Sequence, residues 1–447
     1  MSTTESVPTS RASSAELVAA TQKGRLDWSS WPVYDGAARG LRDYWYPVCW
    51  ANTLTDVPKA VRLLGENIMV VRDEDGTAHA LHDRCPHRGV KLSEGDVQFP
   101  GTVSCAYHGW TFGLEDGVLN AVITDGPDSP ICGKVAVATY PVEERLGLVW
   151  IYVGDREPHP IDEQLPEELT QGVPFSVGGR IDRRSGNWRL ACENGFDEGH
   201  AKYLHRTSLW RLFKTMPTWN VTHIERRARW IFRVQDEVHW EAEFPGVGRW
   251  TNKRWWKLNP PEGESFTLGN TGAGQEPNEH IAAQDFPGFV SVSQPGVLRV
   301  AYPHFIHYEF YVPIDEDEHL YVGVMVNFER GAKSLSYKAR YLGGIRWLFH
   351  GDFSGQDAWM VEQTDAPPER LYRPDLSLTA WRRLASEPNP FWPEVEREAI
   401  IAKDRATQRA RRRTPTPAEA TGNPYATDAD VPPERRSPQG GDAAGGP

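Results

Sequence analysis

Apolar residues run along this chain in two rhythms. Between about 40 and 155 they form short runs cut by glycine and proline, such as Asn67-Ile-Met-Val-Val-Arg72 and Leu148-Val-Trp-Ile-Tyr-Val153, which predicts a body of short β-strands. From about 175 to 400 the alternation is longer. Trp230, Phe232 and Val234 are followed by Val238, Trp240, Ala242 and Phe244, and Gln235-Asp236 between them predicts a hairpin turn. A second hairpin is predicted from Phe305 to Val312, turning through Pro313-Ile-Asp-Glu-Asp-Glu and returning from Leu320 to Phe328. Helical patterning is strongest around 187–204, 334–364 and 394–412. The acid- and proline-rich stretch from Asp155 to Leu169 reads as a linker, and no internal repeat is present.

These elements predict an α+β chain. Its parts are an N-terminal segment at 1–39, partly disordered, a β body at 40–155, a linker at 156–174 and a second body at 175–400. A basic helix end follows at 401–447, with Arg405, Arg409 and Arg411 to Arg413, and then a tail from Thr414 with almost nothing apolar to bury, read as disordered. The basic run suits a solvated helix end or a docking patch for an acidic protein.

Composition narrows the class. At 447 residues the chain exceeds one ordinary core, and its 39% hydrophobic and 25% charged residues are a globular mix. The 61 acidic against 49 basic side chains, a net −12, argue against nucleic acid as the main partner. No basic start leads into an apolar run and no stretch is long enough to span a membrane, so a cytoplasmic location is expected. Eighteen tryptophans suggest strand-rich walls or a large apolar pocket. Trp210, Trp219, Trp230, Trp240, Phe305 and Trp359 are pocket candidates, although alternating strands bury one face in any case. Five cysteines do not make a disulfide framework and fit a reducing compartment in which some thiols are ligands.

The strongest local signal is Cys85-Pro86-His87 followed by Cys105-Ala106-Tyr107-His108. Two short loops, each with one thiolate and one imidazole, suit a two-iron cluster in which the cysteines hold one iron and the histidines the other, the Rieske arrangement. Arg88-Gly89 and Gly109-Trp110 allow tight turns, and Trp110 is placed to shield the cluster. A Cys₂His₂ zinc site uses the same donors but usually in another order. Cys49, Cys132 and Cys192 read as ordinary buried thiols.

A second constellation lies in 187–205, where His200 and His205 follow Glu193, Asn194, Asp197 and Glu198. Five residues turn an ideal helix by about 500°, leaving the two rings about 140° apart. They can meet one metal only if the helix breaks or widens, with Gly199 and the chain after Leu204 as the places to look. A facial triad needs a third, distant carboxylate, and Asp352, Asp357, Glu362 and Asp365 are all candidates on chemistry alone.

Together the motifs Cys-x-His-x17-Cys-x2-His and Asp-x2-His-x4-His resemble the terminal oxygenase α subunits of Rieske non-haem iron oxygenases, over about 40 to 390. Tyr107-His-Gly-Trp-Thr-Phe, Glu115-Asp-Gly-Val-Leu, Asn187-Trp-Arg-Leu, Glu193-Asn-Gly-Phe-Asp, Tyr311-Val-Pro-Ile-Asp-Glu and Ala380-Trp-Arg-Arg-Leu-Ala-Ser-Glu look like the carbazole-type angular dioxygenases and related heteroaromatic ring oxygenases. The resemblance implies an N-terminal antiparallel β Rieske domain and a C-terminal catalytic domain of antiparallel sheet and helices, helix-grip-like. It implies that Cys85, His87, Cys105 and His108 hold a [2Fe-2S] cluster, and that His200, His205 and Asp357 bind a mononuclear ferrous iron. Asp197 would bridge His200 to His108 of a neighbouring subunit in a head-to-tail homotrimer, and Asn194 would sit near the open side of the iron. One departure stands out: the carbazole-type enzymes have one residue fewer between the two iron histidines, and the spacing here looks more like the naphthalene type.

The expected function is hydroxylation of an aromatic or heteroaromatic ring with O₂ as co-substrate, by ring dioxygenation. The alternative is a monooxygenase acting on a natural-product intermediate. Gly269-Asn-Thr-Gly-Ala-Gly lacks dinucleotide-fingerprint spacing and no four-cysteine ferredoxin pattern exists, so a ferredoxin, an NAD(P)H-dependent reductase or both must supply electrons. A pure electron-transfer Rieske protein would leave the second body and its histidines unexplained.

Overall fold

The structure, a computed structural model, describes residues 27–212, 216–253, 261–265, 278–283, 290–365 and 369–413. The expected disorder before residue 27 and from Thr414 onward, and the Gly269 loop, lie outside the described residues. The chain divides after Ser386 into a large unit and a C-terminal one. The C-terminal unit contains one long helix, Glu394–Arg413, where helical patterning is expected.

The large unit begins with three small antiparallel sheets. One pairs β1 (Tyr44–Trp50), β10 (Leu148–Val153) and β9 (Val142–Arg145), and a second orders β2 (Lys59–Leu63), β3 (Glu66–Arg72), β4 (Ala78–His82) and β8 (Thr139–Tyr140). The third holds β5 (Thr102–Ser104), β6 (Trp110–Gly113) and β7 (Leu119–Val122). Strands β3 and β10 are the two apolar runs read from the pattern, and β10 is buried along its whole length. Met69, Val71, Leu81, Val103, Phe112 and Leu119 form a core that also takes in Cys85 and Cys105. The two cysteine loops therefore grow out of a packed base.

After the acid- and proline-rich stretch comes a seven-stranded antiparallel sheet ordered β11-β19-β18-β17-β16-β13-β12. Its strands are β11 (Ser176–Ser185), β12 (Trp219–Arg227), β13 (Trp230–His239), β16 (Val290–Ser293), β17 (Val297–Ala301), β18 (Ile306–Pro313) and β19 (Glu318–Asn327). A separate ribbon joins β14 (Glu241–Phe244) to β15 (Gly248–Thr251). The β18–β19 hairpin forms as expected, with Ile306 opposite Val326 and Pro313 opposite His319. The predicted turn at Gln235-Asp236 does not form, because β13 runs straight through it and pairs with β12 and β16. The reason is pairing: Gln235 and Asp236 sit opposite Thr222 and Val221 of β12, and the irregularity falls just beyond them, where Glu237 adopts a positive φ of 48° and the register shifts by one residue. The true turn is at Ala228, which adopts a positive φ of 48°. The predicted linker is packed: the Gln164 amide donates to Trp45 O at 2.7 Å and Arg299 pairs with Glu168 at 2.6 Å.

Helices cover one face of the sheet. A short N-terminal helix α1 (Pro32–Gly36) precedes α2 (Trp188–Phe196) and α3 (Gly199–Tyr203). Helix α2 is capped by Asn187, whose side chain accepts from Arg189 N at 3.1 Å and donates to Ala38 O at 2.8 Å, so the cap also anchors the N-terminal segment. A nearly continuous helical stretch runs from α4 (Gly331–Arg340) through wide π-type turns at Tyr341–Ile345 and Leu348–Phe353 into α5 (Ser354–Glu362), and α6 (Leu376–Ala385) closes the unit. Among the described residues no helix is long and apolar enough to cross a membrane.

A buried ion pair locks these helices together. The Arg382 guanidinium donates to both carboxylate oxygens of Glu193, at 2.8 and 2.7 Å, and the Tyr34 hydroxyl donates to the same carboxylate at 2.7 Å. Trp381 in turn donates to Tyr34 at 3.2 Å and packs edge-on against Trp188. Burial raises the Glu193 carboxyl above its ordinary value even though Arg382 opposes it. Arg382→Ala leaves that carboxyl buried without its cation, and is expected to destabilise the protein by about 3–5 kcal/mol, read as a lower apparent melting temperature with the cluster still loaded.

Candidate active site

The two cysteine loops close in the same way. Cys85 N donates to Val90 O at 2.8 Å and Gly89 N to Cys85 O at 2.8 Å; Cys105 N donates to Trp110 O at 2.8 Å and Gly109 N to Cys105 O at 3.0 Å. Gly89 and Gly109 carry positive φ of 77° and 61°, a conformation that favours glycine. Cys85 and Cys105 are buried in one core, whereas His87 is exposed and its ring lies 4.6 Å from that of His108. Trp110 stacks on His87 at 4.9 Å with an interplanar angle of 3°, covering one side of the ring. The donors thus form a buried thiol pair and an outer imidazole pair. Among the described residues the only group of three or more metal-binding side chains converging on one point lies elsewhere. A single zinc ion would need the four to converge; a two-iron cluster needs two pairs. The donor set fits the cluster.

The convergent group is His200, His205 and Asp357, whose candidate ligand atoms all lie within 4.8 Å of one another. The helix does not continue from α2 into α3, because Asp197 is extended with ψ of 141°. Beyond Tyr203, α3 passes into a 3₁₀ turn, Leu204–Thr207. That change of helix type lies between the two histidines, as the spacing requires, and it falls after Tyr203 rather than at Gly199. His205 Nε2 and His200 Nε2 stand 3.2 and 3.5 Å from the same Asp357 oxygen. Both rings are held from behind. Asp197 lies 3.2 Å from His200 Nδ1, and Gln356 lies 3.2 Å from His205 Nδ1. Each imidazole therefore presents Nε2 inward, an orientation that outer partners characteristically impose on metal-binding histidines. His205 Nε2 is buried with no hydrogen-bond partner, as expected of an atom that awaits a metal.

Three carboxylates and an amide complete the setting. Burial alone would raise Asp357, but His205, His200 and the Asn194 amide, which donates to it at 3.0 Å, hold it down at about 2. Burial would also raise Asp197; His200 and the backbone N–H groups of His200 and Gly199, at 2.7 and 2.9 Å, lower it to about 2. Burial works against charge on His200, yet its contacts with Asp197 and Asp357 leave it raised. Nearby, burial and the charge of Asp357 push Glu309 up to about 7, against hydrogen bonds from Tyr311 and Tyr321.

The structure thus gathers His200, His205, Asp357, Asn194 and Asp197 at one place, and Cys85, Cys105, His87 and His108 at another. It does not gather the other carboxylate candidates. Asp352 accepts from Ser208, and Glu362 and Asp365 are exposed. Among the tryptophan candidates, Trp230 and Trp240 are core, Trp210 is buried 4.7 Å from the Phe353 ring, and Trp219 and Trp359 are exposed. Gln356 and Phe353, whose ring stacks on His205 at 3.7 Å, are site residues that motif spacing does not reveal. Phe353 stands four residues before Asp357, one helical turn, which is the signal that marks it. Cys49, Cys132 and Cys192 are unpaired thiols, with Cys49 and Cys192 buried and Cys132 half-buried.

Comparison with known proteins agrees with this geometry. Residues 44–141 match the Rieske [2Fe-2S] domain, and residues 152–221 and 264–390 match the homotrimeric ring hydroxylase family. The chain is 33% identical over 384 residues to the terminal oxygenase component of carbazole 1,9a-dioxygenase from Metapseudomonas resinovorans, covering 80% of this chain and 94% of that protein. The solved terminal oxygenase of carbazole 1,9a-dioxygenase from Novosphingobium sp. KA1 superposes with a TM-score of 0.66 at 29% identity, covering 81% of this chain and 96% of that one. The oxygenase in a reduced oxygenase–ferredoxin complex of carbazole 1,9a-dioxygenase gives 0.64 at 28% identity, over 81% and 93%. The chain belongs to the Rieske non-haem iron oxygenases, as the terminal oxygenase of a multicomponent ring-hydroxylating system that carries a [2Fe-2S] cluster and a mononuclear iron and uses O₂.

Proposed function

We propose that this oxygenase hydroxylates an aromatic or heteroaromatic ring at the His200, His205 and Asp357 site, by dioxygenation. The single observation that carries the reading is the convergence of those three donors, each imidazole held from behind by its own partner. Cys85, Cys105, His87 and His108 would hold the cluster, which would supply single electrons, and the triad would hold the iron, which would supply the place where O₂ reacts. Every other task falls to side chains. Asp357 stays ionised and balances metal charge, and the Asn194 amide fixes the orientation of its carboxylate. Phe353 and Trp210 form an aromatic wall beside His205 that excludes water and accepts a flat ring.

Asp197 is the proposed bridge. Its carboxylate, 19% exposed, holds His200 through one oxygen and accepts from Gly199 N through the other, and its exposed edge is where an imidazole donor would reach it. On the family pattern that donor is His108 of a neighbouring copy in a homotrimer. We further propose a ferredoxin, a reductase or both as electron donor, supported by the ferredoxin complexes of the similar carbazole enzymes, and a cytoplasmic location, supported by unpaired cysteines. The proposed domain limits are 40–155 for the cluster and 175–400 for the catalytic part.

The test is a turnover assay on the loaded protein with a reductase, a ferredoxin and a panel of fused-ring heteroaromatics under labelled O₂. Two labelled atoms per product molecule are expected. One labelled atom would instead favour the monooxygenase reading, and no ring product at all would contradict both.

A further inference from the structure

A second polar cluster lies inside the sheet beside the triad. Strand β18 contributes His307, Glu309 and Tyr311, alternate residues that share a face, β19 contributes Tyr321, and the wide turn before α5 contributes His350. The Tyr321 hydroxyl lies 3.3 Å from His307 Nε2, 3.3 Å from Glu309 Oε1 and 3.5 Å from His350 Nδ1, and Tyr311 donates to Glu309 Oε2. All five side chains are buried. Two glycines make the room: a Cβ on Gly195 would overlap the Tyr311 hydroxyl, and one on Gly323 would lie 2.6 Å from that of Tyr321. Burying so many polar groups is costly, and a site built only for an apolar ring has no need of them.

Glu309 and Tyr311 line a cavity shared with Asn194, Ser354, Asp357 and Arg184. It has room for about one water-sized group, hence for a substituent and not for a ring. The lining is rich in acceptors. The Asn194 amide gives one N–H to Asp357, which leaves its oxygen and a second N–H, and a carboxyl has acceptor capacity beyond its bond from Tyr311. Arg184 is stacked over Tyr321 at 3.7 Å and lies 3.6 Å from Asp182, so part of its charge is already balanced. An entering carboxylate would meet the ionised Asp357 as a group of its own sign; an O–H or N–H would meet acceptors.

We propose that Glu309, with Tyr311 and Asn194, is a specificity determinant that receives a hydrogen-bond-donating substituent of the aromatic substrate, a phenolic hydroxyl above all. The inference rests on the ring-oxygenase reading of the triad, and its test is separable from it. Naphthalene, 2-naphthol and 2-naphthoate, rings of one size, are titrated calorimetrically into the fully loaded, oxidised protein without reductant. The expected result is 2-naphthol binding about tenfold tighter than naphthalene, with 2-naphthoate weakest. Glu309→Leu should abolish the preference for naphthol over naphthalene, while Glu309→Gln retains most of it. Equal affinities in the wild type, binding of none of the three, or a preference that survives Glu309→Leu overturns the proposal. If the leucine variant does not fold, the wild-type ranking decides. A protein that ranks the probes as expected yet oxidises no ring contradicts the oxygenase reading alone. One that oxidises rings without the ranking contradicts this inference alone.

Discussion

Asp197→Ala is expected to yield a protein with full cluster and iron content whose coupled product formation falls by about 10–100-fold. The carboxylate is not one of the three converging donors, so its removal does not empty the triad. What it removes is the acceptor for His200 Nδ1 at 3.2 Å and for two backbone N–H groups at the start of α3. His200 then loses the partner that fixes its ring, and the proposed path from a neighbouring imidazole loses its joining group. Asp197→Asn separates these effects. It keeps an acceptor for His200 but no longer carries charge, so its iron content should match the wild type while its single-turnover product yield stays low. Normal yield in both variants would remove Asp197 from the electron path.

Asp357→Ala should have the larger effect on metal. Its oxygen lies within 3.5 Å of both Nε2 atoms, and it is the one carboxylate of the triad. Without it two neutral imidazoles remain, and the site loses both a ligand and the negative charge that His200, His205 and Asn194 hold in place. Iron should drop from three to two per chain, ring oxidation to background, and the cluster spectrum should remain unchanged. The cysteine loops rest on a separate core of Met69, Val71, Leu81 and Phe112, which is why the two losses can be told apart. A variant that retains three irons would place the third ligand elsewhere.

The cluster loops were legible because their ligands and turn glycines are close neighbours in the chain. Cys85 to Gly89 and Cys105 to Gly109 close by the same backbone pattern, which needs no tertiary information. The triad was only half legible. His200 and His205 announce themselves with an awkward spacing that demands a change of helix type, and one occurs after Tyr203. The third donor comes from a helix far along the chain. Chemistry alone could not separate Asp357 from Asp352, Glu362 and Asp365, whereas packing does, by giving Asp352 to Ser208 and the other two to solvent. Gln356 and Glu309 left no signal, since each acts only through what the fold sets opposite it. Strand β13 was misread for a different reason. Two polar residues in an alternating run resemble a turn, but Gln235 is buried and paired with Thr222 of the neighbouring strand, which the run by itself does not disclose.

The central claim is two metal centres in one chain, a cluster on the cysteine loops and an iron on the His200, His205 and Asp357 site. Metal analysis of the purified protein, combined with the electron paramagnetic resonance spectrum of its reduced form, tests this most directly. The account predicts three irons per chain, the signal of a reduced, histidine-ligated two-iron cluster, and a ferrous site that binds nitric oxide to give a separate high-spin signal. Two irons with no nitric oxide signal, or zinc in their place, would contradict it.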